Sequence, residues 1–291
     1  HHEGMSSPQH VGRPGVGVVI PAFNEEAVLR RCLQAVLDQT VAAQQIIVVD
    51  NASTDGTRDV VNRMQDENPH APLILVQQHA AQGLVPTRNA GLGAARADVL
   101  GRIDADSVLT PDWVAQVQQA FTDPDLAAVT GPVFYYDLPL PRLGLAIDAA
   151  GRHLMMKWVA DQHPFLYGSN MAIRRTAWEQ IRTTTCRDAH DQMHEDIDLS
   201  LHLSEHGLKV AYRPVIVAGV SARRMDDSPA RFHHYVGRYH RTYRAHQITS
   251  PVPAAAGTIL RCLYWPLKLV RTLRRPRPFP RGRSTGPAPD R

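Results

Sequence analysis

Short apolar runs alternate with longer mixed stretches over the first half of the chain. VGVVIPAF (16–23), IIVVD (46–50) and LILVQ (73–77) are rich in Val, Ile and Leu, as buried strands are. DVLGRID (98–104) reads as a fourth strand and AAVTGPVFYY (127–136) as a fifth. The stretches between them read as helices. The first is predicted to start at an Asn24 cap, with Glu25 and Glu26 in a first turn where the helix dipole favours acids, and to run to Asp38. Ser53 or Thr54 caps the second, which runs to Gln65, and the third covers 84–96. Thr110-Pro111 opens the fourth, with proline at its first position. Strands separated by helices imply βαβ units with right-handed crossovers, hence a mainly parallel sheet. Such sheets bind ligands beyond the carboxyl ends of their strands, and here those ends carry the polar residues of 21–24, 50–51 and 104–106.

The second half is less regular. A helix is predicted over 143–159, and YGSNMAIRR (167–175) reads as a strand edge or hairpin. IDLSLHL (197–203) alternates like a strand, but Glu205-His206-Gly207 after it reads as a helix end with a glycine cap, which decides for helix. KVAYRP (209–214) and VIVAGVSA (215–222) are strand-like, and 229–247 forms a basic, aromatic, His-rich helix. From Arg274 onward proline and arginine predominate, which predicts a disordered basic tail. At the other end, His1 to Gly4 precede Met5 and read as a tag remnant within a flexible N-terminus, 1–13. No internal repeat is visible.

Composition narrows the class. With 291 residues, 43% hydrophobic and 21% charged, the chain has the makings of one large globular domain with an appendage. Cys32, Cys186 and Cys262 make neither a metal spacing nor a disulfide framework, which predicts reduced thiols in a cytoplasmic protein. No basic-then-apolar signal pattern follows Met5, in keeping with that location. The net charge of +4, carried mostly by arginine, suits phosphates or an anionic membrane surface. Signatures of nucleic-acid recognition are missing, so no nucleic-acid partner is expected.

Several segments carry candidate chemistry. Asp104-Ala105-Asp106 puts two carboxylates on one loop after a strand, where hard cations such as Mg²⁺ or Mn²⁺ are held together with phosphate oxygens. By itself a D-x-D is weak evidence, and its position gives it weight. Asp50 and Asn51 end the second strand, placed to hydrogen-bond a base or ribose. A dinucleotide reading of this sheet requires G-x-G-x-x-G after the first strand, whereas PAFNEE lacks glycine, so a dehydrogenase is set aside. Arg88 is either a diphosphate ligand or a helix-surface arginine. HEDID (194–198) crowds carboxylates onto a helix start. They serve either the helix dipole or, through Asp196 with Glu195 orienting it, general-base chemistry. SARR (221–224) is either a solvated turn or a phosphate-neutralising pair.

Taken in order, PAFNEE, VVDNASTDGT, GLVPTRNAGL, RIDADS, YGSNMAIRR, HEDIDLSLHL and VSARR resemble the motifs of glycosyltransferase family 2 over about residues 16–224. The resemblance implies an α/β GT-A fold: a Rossmann-like, mainly parallel sheet flanked by helices, with a C-terminal helical extension. Its domain would cover 14–224, with a nucleotide-sugar half, 14–136, and an acceptor half, 137–224. It implies sugar transfer from a UDP- or GDP-sugar, with inversion and Mg²⁺ or Mn²⁺. Pro21, Ala22, Asn24 and Glu25 would line the nucleotide pocket, and Asp50 and Asn51 would meet base and ribose. The family often has a second acid where this chain has Asn51, an amide that donates as well as accepts. Arg88 would touch the diphosphate, Asp104 and Ala105 the ribose or sugar, and Asp106 the metal. Asp196 would be the catalytic base beside Glu195. Gly168, Ser169 and Asn170 would border donor sugar and acceptor, and Arg223 and Arg224 the diphosphate. A histidine among His233, His234, His240 and His246 is a possible further metal ligand.

The segment 225–273 is expected to form C-terminal helices. VPAAAGTILRCLYWPLKLVRTL (252–273) is interrupted by Arg261, Pro266 and Lys268 and makes a poor membrane span. It suits either an interfacial helix on the inner face of the cell membrane or a helix packed on the domain. In the first case the acceptor would be lipid-linked or membrane-derived; otherwise the acceptor is open, a glycan or a lipid-linked molecule. Two other functions stay open, a nucleotidyltransferase and a catalytically silent sugar-nucleotide-binding protein. The first lacks its glycine-rich loop, and the second is at odds with the retention of Asp104, Asp106 and Asp196.

Overall fold

The computed structural model describes residues 12–159, 164–188 and 190–274. The expected tag remnant and most of the basic tail lie outside them. Along the chain, β1 (Val16–Ala22), α1 (Glu26–Leu37), β2 (Gln45–Asp50), α2 (Thr57–Glu67), β3 (Leu73–Gln77), α3 (Leu84–Ala94) and β4 (Val99–Arg102) form the predicted βαβ series. Then come β5 (Val108–Leu109), α4 (Trp113–Ala120), β6 (Leu126–Thr130), β7 (Val133–Tyr135) and α5 (Pro141–Trp158). The remainder is β8 (Met171–Arg174), α6 (Arg175–Ile181), α7 (Glu195–Glu205), β9 (Lys209–Tyr212), β10 (Ala218–Val220), a short 3-10 helix (Ala222–Asp226), α8 (Pro229–Ala245) and α9 (Val252–Arg274).

Seven strands form the main sheet in the order β3-β2-β1-β4-β8-β6-β9, with only β8 antiparallel to its neighbours. Alternation along the strands divides the core. Val16, Val18 and Ile20 pack with Leu29, Leu33, Met64 and Trp113 from α1, α2 and α4. Val19, Ile47 and Val49 pack with Leu92, Trp178 and Leu199 from α3, α6 and α7 on the other face. Gly91 lets α3 sit close to the sheet, since a Cβ there would lie 2.3 Å from Val19 Cγ1. Strand order reverses at β1: β2 and β3 extend to one side, and the chain returns through α3 to place β4 on the other. The crevice between the carboxyl ends of β1 and β4 is where such a fold binds ligand.

Several local expectations are corrected. Asn24 does not cap α1; it sits at φ 55° and the cap position is Glu25. The caps are exchanged between two loops. Asp55 Oδ2 accepts from the Glu26 N–H (3.2 Å), and Glu26 Oε2 accepts from the Gly56 N–H (2.9 Å). Gly56, not Ser53 or Thr54, therefore precedes α2. Helix α4 begins at Trp113, after an Asp112 cap, rather than at Pro111. The single strand read over 127–136 breaks at Gly131-Pro132, and β7 leaves for a small sheet ordered β5-β10-β7. The segment 167–175 is a turn and a strand that runs straight into α6. Because β8 lies between β4 and β6, strands from 14–136 and from 137–224 share one sheet.

Helix α9 packs by one face. Tyr264 stacks on Phe232 of α8 with centroids 4.4 Å apart. Lys268 and Arg271 tie this helix to the domain. Lys268 donates to Asp227 O (2.6 Å) and Arg271 to Asp226 Oδ2 (2.9 Å). Ile259, Leu263, Leu269 and Leu273 stay exposed. Among the described residues no helix is long and apolar enough to cross a membrane.

Candidate active site

Three loops meet at the crevice. Glu25 follows β1, Asp104 and Asp106 follow β4, and Arg223 comes from the 3-10 helix. Pro21 and Ala22, buried in β1, form its floor. Pro21 lies beyond the end of β4, so its missing N–H costs no ladder bond. Arg223 joins the acids: its Nη1 and Nη2 donate to Glu25 at 2.6 and 2.7 Å, and its Nε lies 2.7 Å from Asp106 Oδ2. Burial pushes the Asp106 carboxyl up to about 6, with the charge of Asp104 adding and Arg223 opposing. Tyr136, which sequence reasoning missed, donates from its hydroxyl to the Asp106 carbonyl (2.9 Å), and the Arg31 guanidinium lies 3.6 Å from its ring centroid.

A buried ion network connects this loop to α7. Glu195 lies between two guanidiniums, with Oε2 2.9 Å from Arg88 Nη1 and Oε1 2.8 Å from Arg102 Nη2. Arg102 also reaches Asp104 at 3.0 Å. Arg88 is fully buried, and its remaining donors go to Asn89 Oδ1 and the Glu195 carbonyl. It is therefore occupied inside the protein rather than offered to a diphosphate. The missed partner is Arg102, hidden in an apolar strand. Gly168 is required here, because a Cβ would fall 2.2 Å from Arg102 Nη1. The Gly168 N–H donates to Asp196 Oδ2 (2.7 Å), and Asp196 Oδ1 accepts from its neighbour's N–H (2.9 Å). Half-buried at the start of α7, the Asp196 carboxyl is raised above its ordinary range by burial, against the pull of that amide and of Arg102.

Other predicted residues prove to be struts. Asn51 spends its whole amide on the loop after β3: Nδ2 donates to Gln78 O and Ala81 O, and Oδ1 accepts from the Gly83 N–H. A carboxylate could not make the two donations, which explains the amide without reference to a base. Asn170, expected beside donor sugar and acceptor, is buried and accepts from Trp113 Nε1 (2.8 Å) while donating to Pro132 O and Ile216 O. Asn24 Oδ1 accepts from the Thr54 N–H. Asp50 differs. Its Oδ1 accepts from the Ser53 N–H, but the buried Oδ2 has no hydrogen bond among the described residues, with Arg58 Nε 3.8 Å away. Ser169 offers its carbonyl to Ser107 Oγ (3.3 Å), and Ala105 is buried between the two loop acids. Arg224 stacks over Tyr235 at 4.4 Å.

The four histidines considered for the metal lie elsewhere. His233 contacts Arg261, His234 contacts Arg241, His240 is exposed, and His246 contacts Asp198 and Glu205. A histidine two residues before Asp196 is one the motif reading passed over. His194, the N-cap of α7, packs against Tyr235 and Tyr239, and burial pushes its imidazole down to about 3.

An acidic loop, a carboxylate on a neighbouring helix start and a half-exposed arginine lie at the switch point of the sheet. Comparison with known proteins places that arrangement. The description "Glycosyl transferase family 2" matches residues 17–182, and "Glycosyl transferase family group 2" matches 102–274. The chain belongs to glycosyltransferase family 2. It is 32% identical over 114 residues to an uncharacterized glycosyltransferase of Nostoc sp., covering 39% of this chain and 35% of that protein. It is 31% identical over 122 residues to a hyaluronan synthase of Pasteurella multocida, covering 41% of this chain and 12% of that protein. The chain thus spans well under half the length of these curated relatives. Among solved structures, a mannosyltransferase from Pyrobaculum calidifontis in complex with GDP-Man and Mn²⁺ superposes with a TM-score of 0.61 at 21% identity, covering 90% of this chain and 74% of that one. At that identity the likeness establishes the fold, which is GT-A.

Proposed function

We propose that the protein moves a sugar from a nucleoside-diphosphate sugar to an acceptor hydroxyl with inversion, Asp196 taking the acceptor proton. The observation that carries this reading is the network Asp104–Arg102–Glu195, which ties the acidic loop to the first turn of α7. It fixes a half-buried carboxylate relative to Asp106. Direct displacement needs one positioned base, and deprotonation of a hydroxyl by such a group contributes about 10²–10⁴-fold. Burial helps, since a raised carboxyl holds a proton better at its working pH. Glu195 and Arg88 are positioning residues in this account, and so are Asn51 and Asn170.

Asp104 and Asp106 fit a hard divalent cation. Both offer carboxylate oxygens, and Asp106 shares a cationic partner, Arg223, with Glu25. When bound, Mg²⁺ or Mn²⁺ supplies charge neutralisation to the diphosphate. Arg223, 44% exposed, would then turn from the two acids to the departing diphosphate, with Arg224 beside it. The buried Oδ2 of Asp50, which has no hydrogen bond among the described residues, supports a contact to a donor N–H or hydroxyl.

The acceptor side points to a membrane surface. Helix α5 leaves Leu143, Ile147, Leu154 and Trp158 between 49% and 70% exposed, and α9 adds its own apolar face. Such faces suit the interfacial region of a bilayer and hence a membrane-derived acceptor. The test of the donor reading is calorimetric titration with UDP-, GDP- and dTDP-sugars, with and without Mn²⁺ or Mg²⁺. Metal-dependent binding of one nucleotide is expected. Failure of all of them to bind to the folded protein would remove the donor assignment.

A further inference from the structure

We propose that Cys186, Asp198, His202 and His246 form a second metal site, separate from the acidic loop after β4, which takes a zinc ion and fastens α7 to the end of α8. The four donor atoms lie within 4.8 Å of one another. Cys186 Sγ is 3.9 Å from His202 Nε2 and 3.8 Å from His246 Nε2. Asp198 Oδ1 is 3.4 Å from His202 Nε2 and 2.9 Å from His246 Nε2. In a tetrahedral zinc site, with Zn–S about 2.3 Å and Zn–N and Zn–O about 2.0–2.2 Å, neighbouring ligands stand about 3.3–3.6 Å apart. These four spacings bracket that range, and with all the donors within 4.8 Å of one another an ion would close the set by side-chain shifts of up to about 1 Å.

The surroundings are those of a metal site as well. Both imidazoles turn Nε2 to the centre, and both Nδ1 atoms lie 2.9 Å from the carboxylate of Glu205, one on each oxygen. Glu205 Oε1 accepts the Nδ1 proton of His246 and so holds that ring in the tautomer whose Nε2 lone pair faces a metal, the usual outer partner of a zinc-bound histidine, while His202 Nδ1 faces the other oxygen without hydrogen-bond geometry. The ligands are held by structure: Asp198 and His202 are one turn apart on α7, His246 caps α8, and Cys186 lies in the connection between α6 and α7. Asp198 is buried, and its Oδ2 accepts from the Cys186 N–H (3.3 Å). One thiolate with two imidazoles and a carboxylate selects zinc over Mg²⁺ or Mn²⁺, which prefer all-oxygen sites. On binding, the Cys186 thiol releases its proton to solvent and the sulfur bonds to the ion. Cysteine spacing could not announce this site, because a single cysteine takes part. On the proposed reading of Asp196 as base, the clamp also steadies the helix that carries it.

The test uses the full chain, stripped with a chelator, dialysed against zinc chloride and desalted before metal analysis. About one zinc per chain is expected to remain. Asp106→Asn should keep it, while Cys186→Ser and His246→Gln should lose it. Chelation should lower the melting temperature of the parent and leave that of Cys186→Ser unchanged. Cobalt in place of zinc provides a readout that needs no variant, a thiolate-to-cobalt charge-transfer band in the parent protein. No retained zinc and no such band, or zinc retained undiminished by Cys186→Ser, would overturn the proposal. Because these readouts do not involve sugar transfer, their failure would leave the donor reading standing.

Discussion

Helix α7 carries a polar cluster toward each end, and the two are neutralised differently. At its start Glu195 is flanked by Arg88 and Arg102. Farther along, Asp198 and Glu205 are flanked by His202 and His246. A guanidinium stays protonated in proteins and holds a carboxylate in a planar fork. Its role is permanent, and it suits an element that must keep Asp196 in place. An imidazole exchanges its proton for a metal. The first cluster is therefore a fixed scaffold for chemistry nearby, and the second is a fastening that an ion can close.

The scaffold end should break hardest. Arg88→Met leaves Glu195 with half its neutralisation in a buried setting and should cost about 3–5 kcal/mol in denaturant unfolding. A cost under 1 kcal/mol would mean that water reaches Glu195. Gly168→Ala forces a methyl group against Arg102 and should cost about 1–3 kcal/mol, with a lower turnover as the amide leaves Asp196. Unchanged turnover would separate that amide from the base. The pH profile sharpens the contrast, because arginines do not titrate in the working range and Asp196 does. Its carboxyl is raised, so it is a base above its folded pKa and protonated below it. On the acid side kcat/KM should fall tenfold per pH unit, with a midpoint above that of an ordinary aspartate. The smallest effect belongs to Arg223→Ala. With its side chain 44% exposed, the loss should change stability by about 0–1 kcal/mol while weakening donor binding.

The sequence made some of this legible and hid the rest for identifiable reasons. Runs such as IIVVD announce buried parallel strands, and the acids after β4 announce themselves by position. The partners of those acids do not. Arg88 and Glu195 are 107 positions apart, and nothing local in GLVPTRNAGL says that its arginine turns inward. Asn24 looked like a cap because caps are usually local, whereas here two loops cap each other's helices. Asn51 stands out in the sequence as an amide where an acid is usual, and the loop that its amide ties down is visible only in the fold. The partners of Lys268 and Arg271 are likewise distant in sequence, Asp227 for the first and Asp226 and Asp137 for the second.

The central claim is that Asp196 acts on the acceptor and not on the donor. The most direct measurement compares Asp196→Asn with the parent protein in two assays on the same preparation, donor affinity by calorimetry and release of nucleoside diphosphate at saturating donor. The account predicts donor affinity unchanged within about threefold and release reduced by about 10²–10⁴-fold. Release at the parental rate would contradict it and remove Asp196 from the mechanism.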